Sequence, residues 1–557
     1  MPGTSLVLSS LEIAQQAELL PISEVAAAAG LLAGEVEPYG RFKAKIDLGV
    51  LERLAGRPDA KLIDVTAITP TKAGEGKTTT SVSLTQGLGF IGRSPVLCLR
   101  EASLGPVFGI KGGAAGGGYT QVVPMEDLNL HFTGDIHAIG AANNLLAALL
   151  EAQILHGNRL GIDPLTVSWR RCLDINDRAL RDVVVGLGGR PNGYPRQSGF
   201  DITAASEVMA IVAVAADLQD LRARLGAITV ARTYEGEPVS AEQLRAAGAM
   251  TVLLKDALKP NLVQTLEGQP ALVHCGPFAN IAHGNNSLVA DRVALKLGDY
   301  VVTESGFGSD MGMEKFFDIV CRAGNLTPNA VVLVATVKAL KHHAGDPDGG
   351  PEAIETGAAN LARHLAIIRE FGVNPVVAIN RFPGDSTEEI ELVRTLALQQ
   401  GAYAAEINDG FEQGGKGAAQ LAEAVVAAAD QPSHFNHLYP LNAPIEQKIE
   451  TIASRVYGAD GIVLLKAARD KIAQFNQAGL DRLPICMAKT HLSLSHDPTL
   501  TNAPTGFTVT IRDLRPYTGA GWIVALCGDM QTMPGYGKTP AANNVDIDTE
   551  GRTVGLF

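Results

Sequence analysis

The chain has 557 residues, 46% hydrophobic and 19% charged, with a net charge of −13 and a pI near 5.5. That is enough core for roughly three or four domains, and so acidic a surface does not attract nucleic acid or anionic membrane, which leaves any anionic ligand to a local basic pocket. No run approaches the ~20 apolar residues of a membrane span, the longest candidate being 208–216, and six scattered cysteines without a C-x-x-C pair suggest neither a disulfide framework nor a zinc knuckle.

The N-terminus lacks the basic and apolar regions of a secretory signal, so a cytoplasmic location is expected. Residues 62–69 read as a buried strand, and a helix is expected from Lys77 onward. Between them lie Thr71, Lys72, Ala73, Gly74, Glu75, Gly76, Lys77 and Thr78. This is close to G-x-x-x-x-G-K-[ST], with Thr71 in place of the first glycine. A strand, Gly-rich loop and helix in that order aim backbone N–H groups and the positive helix end at phosphate oxygens. Lys77 would reach the outer phosphates and the Thr78 hydroxyl a bound Mg²⁺. A chance surface turn would not have this flanking context. Lys72 resembles the first lysine of partition-type ATPases, which reaches across a dimer; a solvated lysine is the alternative reading.

A strand at 94–101 ends on Arg100 and Glu101. The Arg100 fork suits phosphate or carboxylate oxygens, or else forms a structural ion pair with Glu101 or another acid. The run from Gly109 to Tyr119 holds six glycines and Lys111. It reads as a linker or, given its apolar flanks, as a loop of close ligand approach. Further strands are expected at 271–275, 300–305, 330–337 and 375–380, and helices at 140–155, 203–216, 355–371 and 416–429. Continuous apolar strands separated by helices predict an α/β fold with a mostly parallel sheet covered on both faces. The expected division is 1–160 with 261–370 as nucleotide-binding core, 161–260 as an inserted subdomain, 371–435 as a further α/β region and 436–557 as a C-terminal domain. Within the last, helices are expected at 444–455 and 462–477.

In open α/β sheets ligands sit beyond the carboxyl ends of the strands. Phe382 and Pro383 follow one strand and Phe411 follows the next. Two aromatics there could sandwich a flat heterocycle, or simply plug the core. His274, His283, His342 and His343 lack metal-ligand spacing, and no G-x-S-x-G supports a serine nucleophile.

Longer strings carry a resemblance. GIKGGAAGGGY (109–119) and VATVKALKHHAG (334–345) are similar to the two signatures of the formate–tetrahydrofolate ligase family, with Lys338 and Ala344 departing from its usual arginine and glycine. TPTKAGEGKTTT (69–80), HFTGDIHAI (131–139), RQSGFDITAASEVMAI (196–211), GPFANIAHG (276–284), ESGFGSDMGMEKF (304–316), LPICMAKTH (483–491) and MPGYGKTPAANNVDID (533–548) extend the likeness along essentially the whole chain. The resemblance implies a P-loop NTPase-like sheet and an ATP-dependent ligase that joins formate to N10 of tetrahydrofolate through formyl phosphate. It further implies MgATP, K⁺ or NH₄⁺ as activator, and a cytoplasmic homotetramer of the monofunctional bacterial type. Carried over by position, Arg100 would hold formate and then formyl phosphate, with Lys77 neutralising ATP and Glu101 and Phe307 lining the pocket. Phe382, beside Pro383, would stack on the pterin. Phe411 stands where the family commonly has tryptophan, which keeps a π-face and loses an N–H. His131, His283 and Asp135 are candidate bases for the N10 proton. The rival readings are a dethiobiotin-synthetase-like carboxylating enzyme and a partition-type nucleotide switch.

Overall fold

A computed structural model describes residues 8–71, 74–109, 115–528 and 530–556. Seven parallel strands form its centre: β1 (Lys61–Ala67), β2 (Pro95–Leu99), β3 (Pro270–Val273), β4 (Tyr300–Gly308), β5 (Pro328–Ala335), β6 (Asn374–Asn380) and β7 (Ala404–Asn408). Their order across the sheet is β3-β2-β4-β1-β5-β6-β7. Each expected strand is present within a few residues. An antiparallel edge was not anticipated: Asn261–Thr265 turns back onto β3 and continues into Ala44–Ile46 and Val36–Pro38. The turn is tight, with Thr265 N–H donating to Gln269 O at 2.9 Å and Gly268 at φ +86°.

Alternate residues of each strand feed two apolar layers, as a pleat requires. Ile63 and Val65 of β1, Val302 of β4 and Val332 and Val334 of β5 face α1 (Lys77–Phe90) and the helix Ala419–Ala429. Leu62, Val301, Val331 and Leu333 face the other way, onto helices Leu288–Leu297 and Pro351–Glu370. A third core joins residues between 139 and 258 to Cys486, Ala488, Trp522 and Val524.

Three local expectations change. The helix expected at 203–216 runs Glu207–Val214, entered through Ser206, whose Oγ accepts from Met209 N–H at 3.2 Å. The one expected at 462–477 begins at Lys466, because Gly461–Leu464 is extended and pairs in parallel with Thr508–Ile511. Helix Asp135–Leu155 has the length and hydropathy to cross a membrane, which the apolar-run count did not single out. Here Ile139, Leu146, Leu150 and Ile154 pack in the third core, and Asp135 and Asn143 bond to protein partners.

Candidate functional site

Thr71, Lys77, Thr78, Arg100, Glu101, Phe382, Pro383 and Phe411 lie in loops or helix starts just past the carboxyl ends of β1, β2, β6 and β7, and Phe307 lies at the end of β4 itself. The loop after β1 enters α1 through Gly74 and Gly76, at φ +77° and +75°. Both positions favour glycine, and a Cβ at Gly76 would also lie 2.9 Å from Asn380 Nδ2. Thr71, which replaces the usual first glycine, is held by its own N–H donating to Glu75 Oε1 at 2.7 Å. Lys72 and Ala73 lie outside the described residues.

Two asparagines clamp this loop. Asn380 Nδ2 donates to Glu75 O at 2.7 Å, while Asn380 Oδ1 accepts from Thr80 Oγ1 at 3.0 Å and from Asn408 Nδ2 at 2.8 Å. Neither asparagine is among the candidates that the sequence singles out. The signal was visible as AIN at 378–380 and EIN at 406–408, an amide closing each of two successive strands.

Glu304 on β4 is the charge centre of the site, and it too went unremarked in sequence. Its carboxylate is buried, accepts from Thr78 Oγ1 at 2.8 Å, and lies 3.2 Å from Lys77 Nζ and 3.5 Å from Arg100 Nη2. Burial works to raise the Glu304 pKa, but Lys77, Arg100 and Thr78 together bring it below the usual carboxylate value. Burial outweighs Glu304 at Lys77 and lowers the ammonium pKa, with Arg100 adding to the effect. Arg100 therefore pairs with Glu304, the other-acid alternative, and its Nε is buried without a hydrogen-bond partner.

Glu101 is buried near Asp135, Lys45 and Asp174. Its N–H donates to Cys275 O at 2.6 Å, and its carboxyl is raised well above its ordinary value by burial, with Asp135 adding to the effect. Asp135 itself is bound by Lys45 at 2.8 Å and by Asn261 Nδ2 at 2.8 Å. His283 is buried, accepts from Asn285 N–H at 3.2 Å, and is lowered to about 3 by burial and by Arg100. His131 is exposed.

Phe307, at φ +61°, stacks on His491 with ring centroids 4.4 Å apart and planes at 18°. The segment carrying His491 is anchored by Lys489, whose buried Nζ donates to Asp310 Oδ2 at 2.7 Å. Phe382 and Phe411 are exposed, at 38% and 51%, so neither plugs the core. An ion pair between Arg381 and Asp409 at 3.0 Å pins their two loops together. Phe411 also lies against the glycine run: Tyr119 N–H donates to Phe411 O at 2.9 Å, and a Cβ at Gly118 would fall 2.2 Å from that oxygen. The described end of the run, Gly116–Gly117, pairs with Thr120–Val123, so it is packed structure and not a linker. Residues 110–114, Lys111 among them, lie outside the described residues. No cluster of three metal-ligating side chains occurs among the described residues.

Taken together, the site offers two cations and a hydroxyl around one buried carboxylate, an orphaned guanidinium N–H, glycine-lined backbone at a helix start, and two exposed aromatic faces. Such a set can hold a polyphosphate, a small oxyanion and a flat ring side by side. The sequence profile described as Formate--tetrahydrofolate ligase matches residues 8–557. Proteins named Formate--tetrahydrofolate ligase from Desulforamulus reducens, Roseiflexus sp. and Cutibacterium acnes are 58%, 57% and 55% identical, each over 99% of this chain and 100% of the relative. The chain belongs to the formate–tetrahydrofolate ligase family.

Proposed function

We propose that the Glu304-centred cluster is where this enzyme carries out the chemistry of its family, the ATP-dependent ligation of formate to tetrahydrofolate through formyl phosphate. The observation that supports this reading best is the convergence of Lys77, Thr78 and Arg100 on one carboxylate within 2.8–3.5 Å, with Arg100 Nε left without a partner. In this reading the Thr71–Thr78 segment is a phosphate-binding loop, and Lys77 with the N–H groups at the start of α1 receives the triphosphate. Arg100 aligns formate so that its oxygen attacks the γ-phosphorus and ADP leaves, then holds the mixed anhydride while the N10 amine attacks the formyl carbon, phosphate leaves and the amine gives up its proton. Such transfer depends on positioning and charge neutralisation more than on covalent help.

The hard oxygen donors at Thr78 and Glu304 fit Mg²⁺. When bound with ATP it would neutralise the β- and γ-phosphate oxygens. Glu101 would line the pocket from the β2 side and Phe307 from β4. Phe382, Pro383 and Phe411 would receive the pteridine. The proposed division is a nucleotide core of 1–160 and 261–370, an inserted 161–260, a folate-side 371–435 whose strands β6 and β7 extend the core sheet, and a C-terminal 436–557. Activation by K⁺ or NH₄⁺, a cytoplasmic location and a homotetramer complete the proposal. Exposed apolar side chains of the inserted region, among them Leu165, Tyr234 and Val252, are available to a subunit contact.

The deciding assay follows ADP release with formate and tetrahydrofolate each omitted in turn. Full turnover requiring both is expected. ATP hydrolysis indifferent to formate would point to a nucleotide switch instead. For the aromatic pair, Phe411→Ala is expected to raise the tetrahydrofolate KM about 5–30-fold, equivalent to ~1–2 kcal/mol of lost ring contact, with the ATP KM moving less than about twofold. Equal losses for both ligands would remove the stacking role.

A further inference from the structure

We propose that His364 is a positioning residue that couples the nucleotide loop to the one-carbon pocket, its imidazole bridging Thr69 at the loop's entrance and Ser309 just past the irregular end of β4, where the register shifts between Glu304 and Gly308. The inference rests on the functional reading above and adds to it a specific link between the two substrates.

His364 lies on helix Pro351–Glu370, fully enclosed, with both ring nitrogens in use. Nε2 is 3.0 Å from Thr69 Oγ1, and Nδ1 is 2.7 Å from Ser309 Oγ. One turn earlier on the same helix, Asn360 Oδ1 accepts from Thr69 N–H at 3.2 Å and Asn360 Nδ2 donates to Thr69 Oγ1 at 3.0 Å. If the Thr69 hydroxyl donates to Nε2, the ring proton sits on Nδ1, facing Ser309. His343 Nε2 approaches Thr69 O at 2.8 Å from a third direction. Thr69 is therefore over-determined, and it stands two residues before Thr71.

The other arm reaches the oxyanion side. Ser309 follows Glu304, Gly306, Phe307 and Gly308, a stretch in which Phe307 adopts φ +61°. A non-glycine residue held there persists only when its surroundings enforce it. The backbone on either side of it packs closely: a Cβ at Gly308 would lie 3.0 Å from His364 Cε1, and one at Gly306 would lie 3.1 Å from Arg100 Nη1. A movement of the loop after β1 that displaces Thr69 thus acts through one rigid ring on the end of β4 beside Arg100. Burial lowers the His364 pKa to about 4, so the bridge is neutral and both hydrogen bonds persist across the working pH range. By linkage, the factor by which ATP tightens formate binding equals the factor by which formate tightens ATP binding.

The test measures that factor by calorimetry, titrating a non-hydrolysable ATP analogue with and without saturating formate, and formate with and without the analogue. In the unmodified enzyme each ligand should tighten the other about fivefold or more, the low end of ordinary coupling. In His364→Ala the factor should fall towards one, with either ligand alone bound within about threefold of its original affinity. Ser309→Ala cuts one arm only and should lower the factor in part, which covers the case in which the histidine variant fails to fold. No coupling in the unmodified enzyme, or an undiminished factor in the variants, overturns the proposal. Failure of the unmodified enzyme to bind the analogue or formate at all would instead overturn the functional reading on which it rests.

Discussion

Arg100→Ala is expected to lower formate-dependent ADP formation by about 10²–10³-fold, the usual loss when one donor aimed at developing charge is removed, while the thermal unfolding midpoint stays within a few degrees. The asymmetry follows from the neighbours. Without Arg100, Glu304 keeps Lys77 at 3.2 Å and the Thr78 hydroxyl at 2.8 Å, so no buried carboxylate is orphaned. What disappears is the guanidinium fork, including the Nε that has no protein partner. Arg100→Lys would retain the charge and lose the planar two-point geometry, so intermediate activity is expected. A coupled ADP assay with formate varied separates the two variants. Near-normal formate-dependent ADP release from Arg100→Ala would remove the arginine from the chemistry.

Glu304→Ala is expected to be the more damaging change, costing about 3–5 kcal/mol in the core as well as most of the activity. Breaking a buried ion pair from one side leaves uncompensated charge, and here it leaves two cations, Lys77 and Arg100, facing each other across the gap. Glu304→Gln keeps the shape and an acceptor for Thr78 and should retain more stability than the alanine variant. The pair also predicts a pH dependence. The Glu304 pKa lies below its ordinary value in the fold, so its contribution is fully present above the unfolded carboxylate pKa of ~4.3 and is lost as pH falls through the folded value. Urea unfolding between pH 7 and pH 3 should show the unmodified enzyme losing more stability over that interval than Glu304→Gln. An identical pH profile for both would show that Glu304 is not the group responsible.

The stretch from Lys61 to Phe90 was legible from sequence because its determinants are local. A buried apolar strand, two glycines at positive φ and a Gly-Lys-Thr helix entry all lie within thirty residues of each other. The other parallel strands were legible for the same reason, each being a short apolar run. Where local patterns competed, the expectation slipped: Ile462 and Val463 suit a helix face or a strand equally, and the strand won because Thr508–Ile511 offers a ladder.

The pairings that make the site were not legible in this way. Thr78 meets Glu304 across 226 positions and Glu75 meets Asn380 across 305. Those contacts depend on β4 inserting between β1 and β2 and on β6 lying two strands beyond β1. A glutamate within an apolar run, or an asparagine at its end, looks the same in sequence whether or not a lysine, an arginine or a glycine turn lies opposite. Family and sheet class follow from short-range pattern, because apolar periodicity and turn chemistry act on neighbouring residues. The carboxylate that Lys77 and Arg100 share, the amide clamp on the loop and the His364 bridge arise only when distant segments are brought into register, since hydrogen bonds and ion pairs depend on distances of a few ångströms that chain order does not specify.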